Sequence, residues 1–389
     1  MLRIQHVDIE CFRNFQNIGF EIGNKITVIS GQNGVGKSNL ISLIASGSGV
    51  SRKAYFGSNF QPEFYDFFNI DPTEDYGEYK IFLRYGEKDN NSNNIIKRLS
   101  FKDDSKTNRG IRVIPRTSNK GLVNIGLREA EALGRDKFGI GGAARVPIPT
   151  IYLSISRLYP LGERKETVNV KLLNKSDKLY QTEAHIKFRE WYNAVIPGCI
   201  KENGALSVVE KKTSARASLH MEMINTPTLS QSIGQDNIGN IISALVDIYI
   251  FSKQEKYEGA IICIDEIEVS LHPDTQIRLL CLMDKLASEL NIQFIVSTHS
   301  LTILKEMLRK QKRCYQDYSV VYLKNPSLPI VTAQKSYELL KADLLGHTTC
   351  DRPKPKMYFE DEIGKHLFEM LVDSLYYQYE IIHSGDVLQ

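Results

Sequence analysis

The sequence has few cysteines, and it lacks both paired cysteines and long hydrophobic runs. Six cysteines are scattered over 389 residues without a Cys-x-x-Cys pair, so neither a zinc site nor a disulfide framework is indicated. No stretch approaches the roughly 20 consecutive apolar residues that cross a bilayer. The N-terminal segment, Met1 to His6, has no signal-peptide hydrophobic region. We therefore expect a cytoplasmic protein, in which reduced thiols are normal.

The sequence also lacks a strong excess of either charge. Its formal net charge is +3, which is too small by itself to indicate a nucleic-acid partner. Hydrophobic residues make up 42% of the chain and charged residues 24%, which is ordinary globular usage and allows a sizeable core. The length is sufficient for one large domain or two ordinary ones.

Two local clusters of basic residues could contact the phosphates of DNA or RNA. A run of positive charges is also common on a solvated protein face, so both interpretations stay open. The clusters are Lys97, Arg98, Lys102, Lys106, Arg109, Arg112, Arg116 and Lys120, and then Lys201, Lys211, Lys212 and Arg216.

What the sequence does contain is a glycine-rich segment, Gly31 to Ser38, with the pattern Gly-x-x-x-x-Gly-Lys-Ser. A β-branched apolar run, Ile26 to Ser30, precedes it, and a run with helical spacing, Asn39 to Ile44, follows it. This strand, loop and helix order predicts a loop whose backbone N–H groups surround a polyphosphate at a helix N-terminus. The predicted nucleotide-binding residues are Asn33, Gly34, Gly36, Lys37, Ser38 and Asn39.

Two of these residues have specific expected roles. Lys37 is expected to meet the β- and γ-phosphate oxygens, and the Ser38 hydroxyl is expected to ligate Mg²⁺. We therefore expect ATP and Mg²⁺ as the cofactors. A chance match of this pattern would leave an ordinary Gly-rich turn, but the flanking strand and helix patterns argue against it.

A second chemical segment is the apolar run from Ala260 to Ile264, which ends in Asp265 and Glu266. Such a run predicts a buried parallel strand that delivers two carboxylates at its C-terminal end. We expect Asp265 to hold Mg²⁺, directly or through water, and Glu266 to polarise the attacking water. The alternative is a strand that ends in acids at a solvated edge.

The next predicted strand, Asn291 to Thr298, places His299 just beyond its end. A neutral or proton-sharing imidazole there could contact the γ-phosphate and sense hydrolysis. A histidine at a strand end is by itself more often a surface or packing residue. Its position on the strand after the one that ends in Glu266 favours the catalytic interpretation.

The segment Ser232-Ile233-Gly234-Gln235 precedes a helical run from Ile238 to Ile250, for which Asp236 and Asn237 are good capping residues. Four such common residues could simply cap the helix. A helix N-terminus with a free hydroxyl and a glycine backbone donor is also suited to binding an anion.

In this order, the four segments resemble the ABC-type ATPase heads of the SMC, RecF-like and OLD (overcoming lysogenisation defect) proteins. The resemblance covers roughly Met1 to Ser300, with gaps. It implies an α/β fold, in which a P-loop NTPase sheet is combined with an antiparallel β lobe and a helical arm. It also implies a homodimer, or a pair with a similar head, in which Ser232, Gly234 and Gln235 contact the ATP of the partner.

The resemblance implies roles for three further segments. Leu2 to Phe15, with Cys11 to Phe15 before the glycine-rich loop, resemble a first hairpin that packs beside the nucleotide. Leu271 to Pro273 correspond to a loop that crosses the dimer seam. Gln61 lies where such heads place a glutamine that contacts the metal and the lytic water. A glutamine in a loop rich in Phe and Tyr can equally be a surface residue, so this role stays open.

Within that group, two segments look most like the Septu-type and retron-associated defence ATPases. They are Ile151 to Glu163 and Ser232 to Asn240. This likeness implies a role in anti-phage defence, in which the ATPase acts together with a nuclease or another effector.

The C-terminal segment is similar to the start of the Toprim nuclease domain that OLD proteins carry. Strand, acid, helix and strand patterns follow one another from Lys356 to Ile382, and Glu360 matches the first metal-binding carboxylate. The family pattern has Glu-Gly and a later Asp-x-Asp, whereas this sequence has Glu360-Asp361 and no Asp-x-Asp before Gln389. Either the nuclease half lies beyond a truncation, or the segment is a remnant used for assembly. A third possibility is an acidic helix N-terminus.

These patterns predict an ATPase head over residues 1–350 and an incomplete Toprim-like segment over 351–389. The head is expected to contain an insertion at about 50–149, with strands at Tyr79 to Tyr85 and Arg112 to Ile114 and an Asn-rich hairpin at Asp89 to Asn94. A helical arm is expected at about 180–225. It lacks sustained heptads, which excludes the long coiled coil of a chromosome tether.

The leading hypothesis is a dimeric ATP-driven switch of a defence system that controls a nuclease, either built in or recruited. Nucleic acid is a possible partner, and no membrane is expected. Two alternatives stay open, namely an ATP-dependent scaffold that sequesters a toxin or an RNA, and a RecF-like ATPase of DNA repair.

Overall fold

The computed structural model describes residues 2–56, 59–87, 90–107, 109–122, 124–159, 168–174, 176–202, 204–212, 216–333, 336–346, 356–372 and 380–383. The strands are β1 (Leu2–Phe12), β2 (Phe15–Glu21), β3 (Ile26–Gly31), β4 (Val50–Lys53), β5 (Asn59–Phe60), β6 (Lys80–Glu87), β7 (Asn90–Asp103), β8 (Ile111–Ser118), β9 (Thr150–Leu153), β10 (Val168–Leu172), β11 (Leu206–Lys211), β12 (Ser218–Met221), β13 (Ala260–Ile264), β14 (Ile292–Ser297), β15 (Tyr318–Lys324), β16 (Ile330–Val331), β17 (Lys356–Phe359) and β18 (Glu380–His383). The α-helices are α1 (Lys37–Ser46), α2 (Leu127–Phe138), α3 (Lys178–Gln181), α4 (Ala184–Val195), α5 (Ile233–Ser252), α6 (Pro273–Glu289), α7 (Leu301–Arg313), α8 (Tyr337–Leu344) and α9 (Glu362–Val372).

The chain divides into two compact units, residues 1–335 and 336–389. The division predicted from the sequence, at 350/351, lies after α8, whereas α8 falls in the second unit. In the described ranges, no helix combines the length and the hydrophobicity needed to cross a membrane. Residues 160–163 of the Septu-like segment and Asp89 of the predicted hairpin lie outside the described residues.

A six-stranded sheet, in the order β16-β15-β3-β14-β13-β9, forms the centre of the first unit. Its strands pair in parallel, apart from the antiparallel edge strand β16. Every residue of β3, β13 and β14 is buried, as is usual for parallel strands covered on both faces. The predicted strands before the glycine-rich loop, before Asp265 and before His299 are therefore confirmed.

A five-stranded antiparallel sheet, β2-β1-β6-β7-β8, forms a second layer. Helix α1 and both sheets contribute to one hydrophobic cluster, which includes Leu40 and Leu43 of α1, Ile261 and Cys263 of β13, and Ile9 of β1. Because Leu40 and Leu43 have no exposed surface, the helix has little freedom to shift. This packing fixes the start of α1, and with it the loop that precedes the helix.

The antiparallel layer differs from the predicted lobe in two ways. The β1–β2 hairpin belongs to the same sheet as the strands of the insertion, because β1 pairs with β6 along its length. The Asn-rich segment predicted as a hairpin turn continues as strand β7 from Asn90. Pairing with β6, in which Glu87 lies opposite Asn90, overrides the low intrinsic strand preference of asparagine.

The predicted helical arm at about 180–225 is helical only in its first part. Helix α4 buries Phe188, Trp191, Tyr192 and Val195, which recur with helical spacing and form one apolar face. The rest of the segment contains β11 and β12, which join β10 in a three-stranded antiparallel sheet. Cross-strand pairing of short, largely buried runs explains this difference.

The second unit contains a strand, helix and strand arrangement, in which β17 and β18 pair in parallel and α9 lies between them in sequence. The order of elements predicted for this segment is confirmed. Asp361 Oδ1 accepts a hydrogen bond from Gly364 N at 2.7 Å, so this carboxylate caps α9. The Toprim-like nature of the segment stays a prediction.

One residue of the first basic cluster cannot contact a nucleic acid as predicted. The Lys97 side chain is buried, and Nζ donates to Thr117 Oγ1 at 3.0 Å and to the Gly141 carbonyl at 2.9 Å. Burial lowers the pKa of Lys97 to about 8, because the protein interior disfavours the charged form. Lys211 of the second cluster is also buried.

A Lys97→Met variant tests this burial through the pH dependence of stability. Native Lys97 releases its proton near pH 8, whereas the unfolded chain keeps it until about pH 10.4. The unfolded state then binds more protons, so the free energy of unfolding of the wild type should rise between these pH values, by up to about 3 kcal/mol.

Urea denaturation at several pH values between 7.5 and 10.5 measures this rise. The Lys97→Met variant should lack this pH-dependent rise, so the difference in unfolding free energy between the two proteins should change with pH. A Lys53→Met variant, altered at an exposed position of β4, should track the wild type. Parallel curves for wild type and Lys97→Met would show that Lys97 titrates normally.

Candidate functional site

The functional segments meet at one edge of the six-stranded sheet. Parallel strands place their carboxyl ends on the same side, and the register pairs Leu153 with Ile264, Ile264 with Val296, and Ile29 with Ser297. The segments that follow these strand ends are therefore neighbours. They carry the glycine-rich loop, Asp265 and Glu266, and His299.

The glycine-rich loop has a backbone that only glycine accommodates well. Gly34 and Gly36 have φ values of 77° and 88°, in the left-handed region. A Cβ on Gly36 would lie 2.7 Å from the Phe15 ring, and one on Gly31 would lie 2.1 Å from the Leu323 carbonyl oxygen. Larger residues at these positions would clash, so the glycines allow the tight curve between β3 and α1 that a phosphate-binding loop requires.

Lys37 is the first residue of α1, and its side chain bends back over the loop. Its Nζ donates to the Gly31 carbonyl at 3.1 Å and to the Gln32 carbonyl at 2.9 Å. Burial lowers the pKa of Lys37, and the nearby Glu266 carboxylate opposes this shift. The first turn of α1 carries no acidic residue, so the positive end of the helix and the ammonium group both favour an anion.

The surroundings of the loop fit a nucleotide. A cavity of about 490 Å³ lies beside it, lined among others by Phe15, Gly34 and Asn39. The buried Asn39 Oδ1 atom has no hydrogen-bond partner within the described part of the protein, as expected where a ligand supplies one. The turn from Cys11 to Phe15 contributes to this cavity, in agreement with its predicted place beside the nucleotide.

The two acids at the end of β13 are held by Ser297 of the neighbouring strand. The Ser297 hydroxyl donates to Asp265 Oδ1 at 2.5 Å and accepts from the Glu266 backbone N–H at 2.8 Å. Burial raises the pKa of Glu266, with additional contributions from Asp265 and Glu268. Ser38 and Asp265 supply oxygen ligands of the kind Mg²⁺ prefers, and we expect them to hold it.

His299 is fixed through its backbone by a residue that the sequence interpretation did not single out. Glu268 accepts hydrogen bonds from the His299 N–H at 2.6 Å and from Thr298 Oγ1 at 2.7 Å. Burial lowers the pKa of His299, and the nearby Lys37 cation lowers it further. The imidazole is therefore neutral near pH 7, and one ring nitrogen can donate a hydrogen bond to a phosphate.

The Ser232 segment forms the N-terminal turn of α5. Ser232 Oγ accepts from Gln235 N at 3.2 Å, and Gln235 Oε1 accepts from Ser232 N at 2.9 Å, which is a capping box. A Cβ on Gly234 would lie 2.3 Å from the Ser270 carbonyl oxygen, so only glycine fits there. This turn therefore lies directly against the segment before the predicted seam-crossing loop.

The capping prediction for Asp236 and Asn237 is wrong. Both residues lie inside α5 and are buried, because the helix begins earlier and Ser232 is its cap. Asp236 forms an ion pair with Lys211, and Asn237 Nδ2 donates to the Val269 carbonyl at 3.0 Å.

The structure does not place Gln61 at the predicted metal site. Gln61 lies beside Gly49, because a Cβ built on Gly49 would be 2.8 Å from the Gln61 Cα. Gly49 follows the C-terminal end of α1. Lys37 begins that ten-residue helix, so the two sites are separated by about 15 Å of helix. Gln61 Nε2 instead donates to Glu63 Oε1 at 3.0 Å. The path of the loop after α1 determines the position of Gln61, and that path cannot be deduced from the sequence pattern.

Glu360 lies in the second unit and precedes α9. In the part of the chain that the structure describes, no group of three or more His, Cys, Asp and Glu side chains is arranged to hold a metal ion. The predicted role of Glu360 as a metal ligand stays a prediction.

Arg157 is a site residue that the sequence interpretation did not identify. It follows β9 in a short turn, is only 2% exposed, and donates to the Glu266 carbonyl at 3.0 Å. The signal in the sequence was its place inside the Septu-like segment from Ile151 to Glu163. Burial lowers the pKa of Arg157 to about 10, and the group stays a cation.

Part of this chain matches the family model of a known domain. The model of an AAA ATPase domain, AAA_15, matches residues 165–304, a range that includes the Ser232 turn, Asp265, Glu266 and His299. No curated protein matches the chain.

Several solved structures of SMC heads are similar to this chain. The SMC head domain from Thermotoga maritima has 15% identity and a TM-score of 0.44, with 86% of this chain and all of that chain covered. An SmcHead bound to the C-winged helix domain of ScpA has 13% identity and a TM-score of 0.46, with 85% and 98% covered. An Smc head with an extended coiled coil, bound to the C-terminal domain of ScpA derived from Pyrococcus furiosus, has 12% identity and a TM-score of 0.45, with 88% and 98% covered.

The matched family and the α/β architecture agree with the geometry of the sheet edge, where a phosphate-type loop, two acids and a neutral histidine meet. Residues 165–304 therefore match an ATPase domain, and the α/β fold of the chain agrees with that match.

Proposed function

We propose that this chain is an ATP-hydrolysing switch that works as a dimer, in which two heads close around two ATP molecules. The observation that carries this proposal is that the site is divided. Ser232 and Ile233 of the turn are exposed and its capping box preforms it, yet within the described residues none of its hydrogen bonds reaches Lys37. A second head can supply the turn that the Lys37 loop lacks.

The surface around the Ser232 turn supports this arrangement. Ile233, a large apolar residue, is 39% exposed immediately beside Ser232. His272 and Pro273 are also exposed near the turn, in the loop predicted to cross the dimer seam. An apolar side chain beside exposed polar groups is typical of the centre of an interface.

Each site residue has a role in this proposal. Lys37 and the loop N–H groups bind the β- and γ-phosphates, and Ser38 and Asp265 hold Mg²⁺, which neutralises phosphate charge when bound. Glu266 orients the attacking water and accepts its proton. The neutral His299 donates a hydrogen bond to the γ-phosphate. Loss of the γ-phosphate removes the group that Ser232, Gly234 and Gln235 contact across the seam, and the heads separate.

A Glu266→Gln variant should trap the closed dimer. The amide keeps the shape of the side chain but cannot accept the proton, so ATP turnover should fall by at least about 100-fold. Analytical ultracentrifugation should show a dimer with ATP and Mg²⁺ and a monomer with ADP.

The matched control is the double variant Lys37→Ala/Glu266→Gln, which should stay monomeric because it cannot hold the triphosphate. An ATP-loaded Glu266→Gln protein that sediments as a monomer would contradict the dimeric switch.

For the biological role, we propose that the switch belongs to an anti-phage defence system and controls a nuclease. The Septu-like segments at 151–163 and 232–240, and the resemblance of the second unit to the start of a Toprim domain, support this role. The second unit has the strand and helix order of that start, with Glu360 after β17. We favour a recruited nuclease chain, because Asp361 follows Glu360 where the family pattern has a glycine.

A cleavage assay distinguishes a recruited nuclease from a built-in one. This chain alone, with Mg²⁺ and ATP, should leave plasmid DNA intact, and its Glu360→Ala variant should retain ATP turnover within about twofold because Glu360 belongs to the other compact unit. The control for ATP turnover is Lys37→Ala. Mg²⁺-dependent cleavage by the wild type that disappears in Glu360→Ala would instead demonstrate a nuclease site in this chain.

A nucleic acid is the second candidate ligand, and one observation favours it. Arg98 of β7 lies directly opposite Arg116 of β8, and both side chains are exposed. Like charges at directly opposed positions destabilise a sheet, and no acidic side chain within the described ranges forms an ion pair with either arginine. By contrast, Lys102 and Arg112 pair with Asp104. A phosphate backbone would compensate the two arginines.

An Arg98→Ala/Arg116→Ala variant should bind duplex DNA less tightly. Loss of two phosphate contacts should reduce the slope of log affinity against log salt by about 2, as measured by fluorescence anisotropy between 50 and 200 mM salt. The control variant is Arg278→Ala/Arg309→Ala, which removes two exposed arginines from α6 and α7. An unchanged slope in the first variant would exclude this face as a DNA site.

A further inference from the structure

Arg157 connects the end of the catalytic strand with the helix that carries the Ser232 turn. Its Nη1 donates to the Leu153 and Ser154 carbonyls at 3.3 and 2.9 Å, and its Nη2 donates to the Glu266 carbonyl at 3.0 Å. Its Nε donates to Asn237 Oδ1 in α5 at 2.9 Å. One planar guanidinium group thus links three segments, a geometry that five rigidly arranged N–H donors allow.

The Glu266 end of this connection is a constrained turn. Glu266 has a φ of 46°, in the left-handed region that costs free energy for a residue other than glycine. Three hydrogen bonds hold the backbone of Glu266. Its N–H donates to Ser297 Oγ at 2.8 Å, and its carbonyl accepts from Arg157 at 3.0 Å and from the Val269 N–H at 3.4 Å. Arg157 therefore helps to fix the backbone of Glu266, the residue expected to activate water.

The α5 end is held equally firmly. Asn237 has no exposed surface, and besides accepting from Arg157 it donates to the Val269 carbonyl at 3.0 Å. A second connection runs through the Arg157 backbone, because the buried Lys211 Nζ donates to the Arg157 carbonyl at 2.7 Å and forms an ion pair with Asp236. Both connections end in the first turns of α5, close to Ser232.

Packing alone does not explain an arginine at this position. Arg157 makes no ion pair with a carboxylate among the described residues, and all four of its hydrogen-bond acceptors are neutral oxygens. Burying a cation is costly, and the charges of the nearby Asp265, Glu266 and Glu268 carboxylates offset only part of the lowering of the Arg157 pKa by burial. The free-energy cost of burying Arg157 is explained if its hydrogen bonds fix a geometry that ATP turnover requires.

We propose that Arg157 is a positioning residue that aligns the Ser232 turn of α5 with the Glu266 turn of the same chain. The catalytic strand of each head thereby determines the position of the Ser232 turn that the head presents to its partner. This inference rests on the proposed dimer. It assigns the main effect of Arg157 to the partner's ATP pocket and a smaller effect to its own.

The first test is an Arg157→Lys variant. Lysine keeps the positive charge and can donate to one or two carbonyls, but it lacks the fork that spans Glu266 and Asn237. ATP binding by the isolated chain, measured by calorimetry, should change by less than twofold because the Lys37 loop is untouched. Steady-state turnover should fall at least tenfold, so kcat falls and the affinity for ATP does not.

The decisive test mixes two defective chains. A Lys37→Ala chain cannot hold ATP but has an intact Ser232 turn, whereas an Arg157→Lys chain has an intact Lys37 loop and a displaced turn. Mixing them with the Lys37→Ala chain in excess builds a pocket from the two intact halves. Turnover per Arg157→Lys chain should rise at least fivefold, approaching the value for wild type mixed with Lys37→Ala.

A control pair separates failure of this inference from failure of the dimer. Gly234→Val displaces the turn directly, since a side chain at this position meets the Ser270 carbonyl, and it should also be rescued by Lys37→Ala. If Gly234→Val is rescued and Arg157→Lys is not, Arg157 acts within its own pocket and the inference is overturned. If neither pair is rescued, the proposed dimer itself is wrong.

An Asn237→Ala variant keeps the test informative if Arg157→Lys does not fold. It cuts the connection that the Arg157 side chain makes to α5. The connection through Lys211 and the hydrogen bond from Arg157 to Glu266 stay in place. Rescue of its turnover by Lys37→Ala supports the inference, and full turnover of Asn237→Ala alone overturns it. Far-UV circular dichroism melts of each variant confirm that the chains are folded.

Discussion

Parallel pairing of β9, β13, β14 and β3 is the constraint on which the site depends. Because these strands run in one direction, segments that are far apart in sequence end at the same edge of the sheet. The glycine-rich loop, the two acids, His299 and the Arg157 turn are neighbours for this reason alone. Since β3, β13 and β14 are buried on both faces, a slip in their register would disrupt the close packing on both sides of the sheet. The groups they carry therefore stay in a fixed arrangement.

Local patterns in the sequence were sufficient for the parts of the site that depend on local structure. The phosphate-type loop, the strand before Asp265 and the strand before His299 follow from short apolar runs and glycine spacing. Gln61 was misplaced because its position depends on the path of the loop after α1. The predicted arm was wrong in its second part because β11 and β12 form through pairing with each other, which periodicity within one segment does not reveal. Arg157 and Glu268 were missed because their roles depend on tertiary contacts.

Buried polar groups beneath α5 hold its first turns through hydrogen bonds and ion pairs. Lys211, Asp236 and His220 are all less than 5% exposed and lie in one hydrogen-bonded group beside Arg157. Satisfied networks of this kind allow few alternative packings. In this head they fix the first turns of α5 relative to the catalytic strand, which is the relation that a pocket shared between two subunits requires.

The central claim is that the ATP held by Lys37 of one head is contacted by Ser232 of another. It is tested most directly with an ATP analogue that carries a thiol-reactive group on the γ-phosphate, applied to a mixture of the wild type and a Lys37→Ala/Ser232→Cys chain. The account predicts labelling at position 232 of the chain that cannot itself bind nucleotide, and loss of this label when the wild type is omitted. Labelling that is independent of the wild-type chain, or no labelling at position 232, would contradict the account.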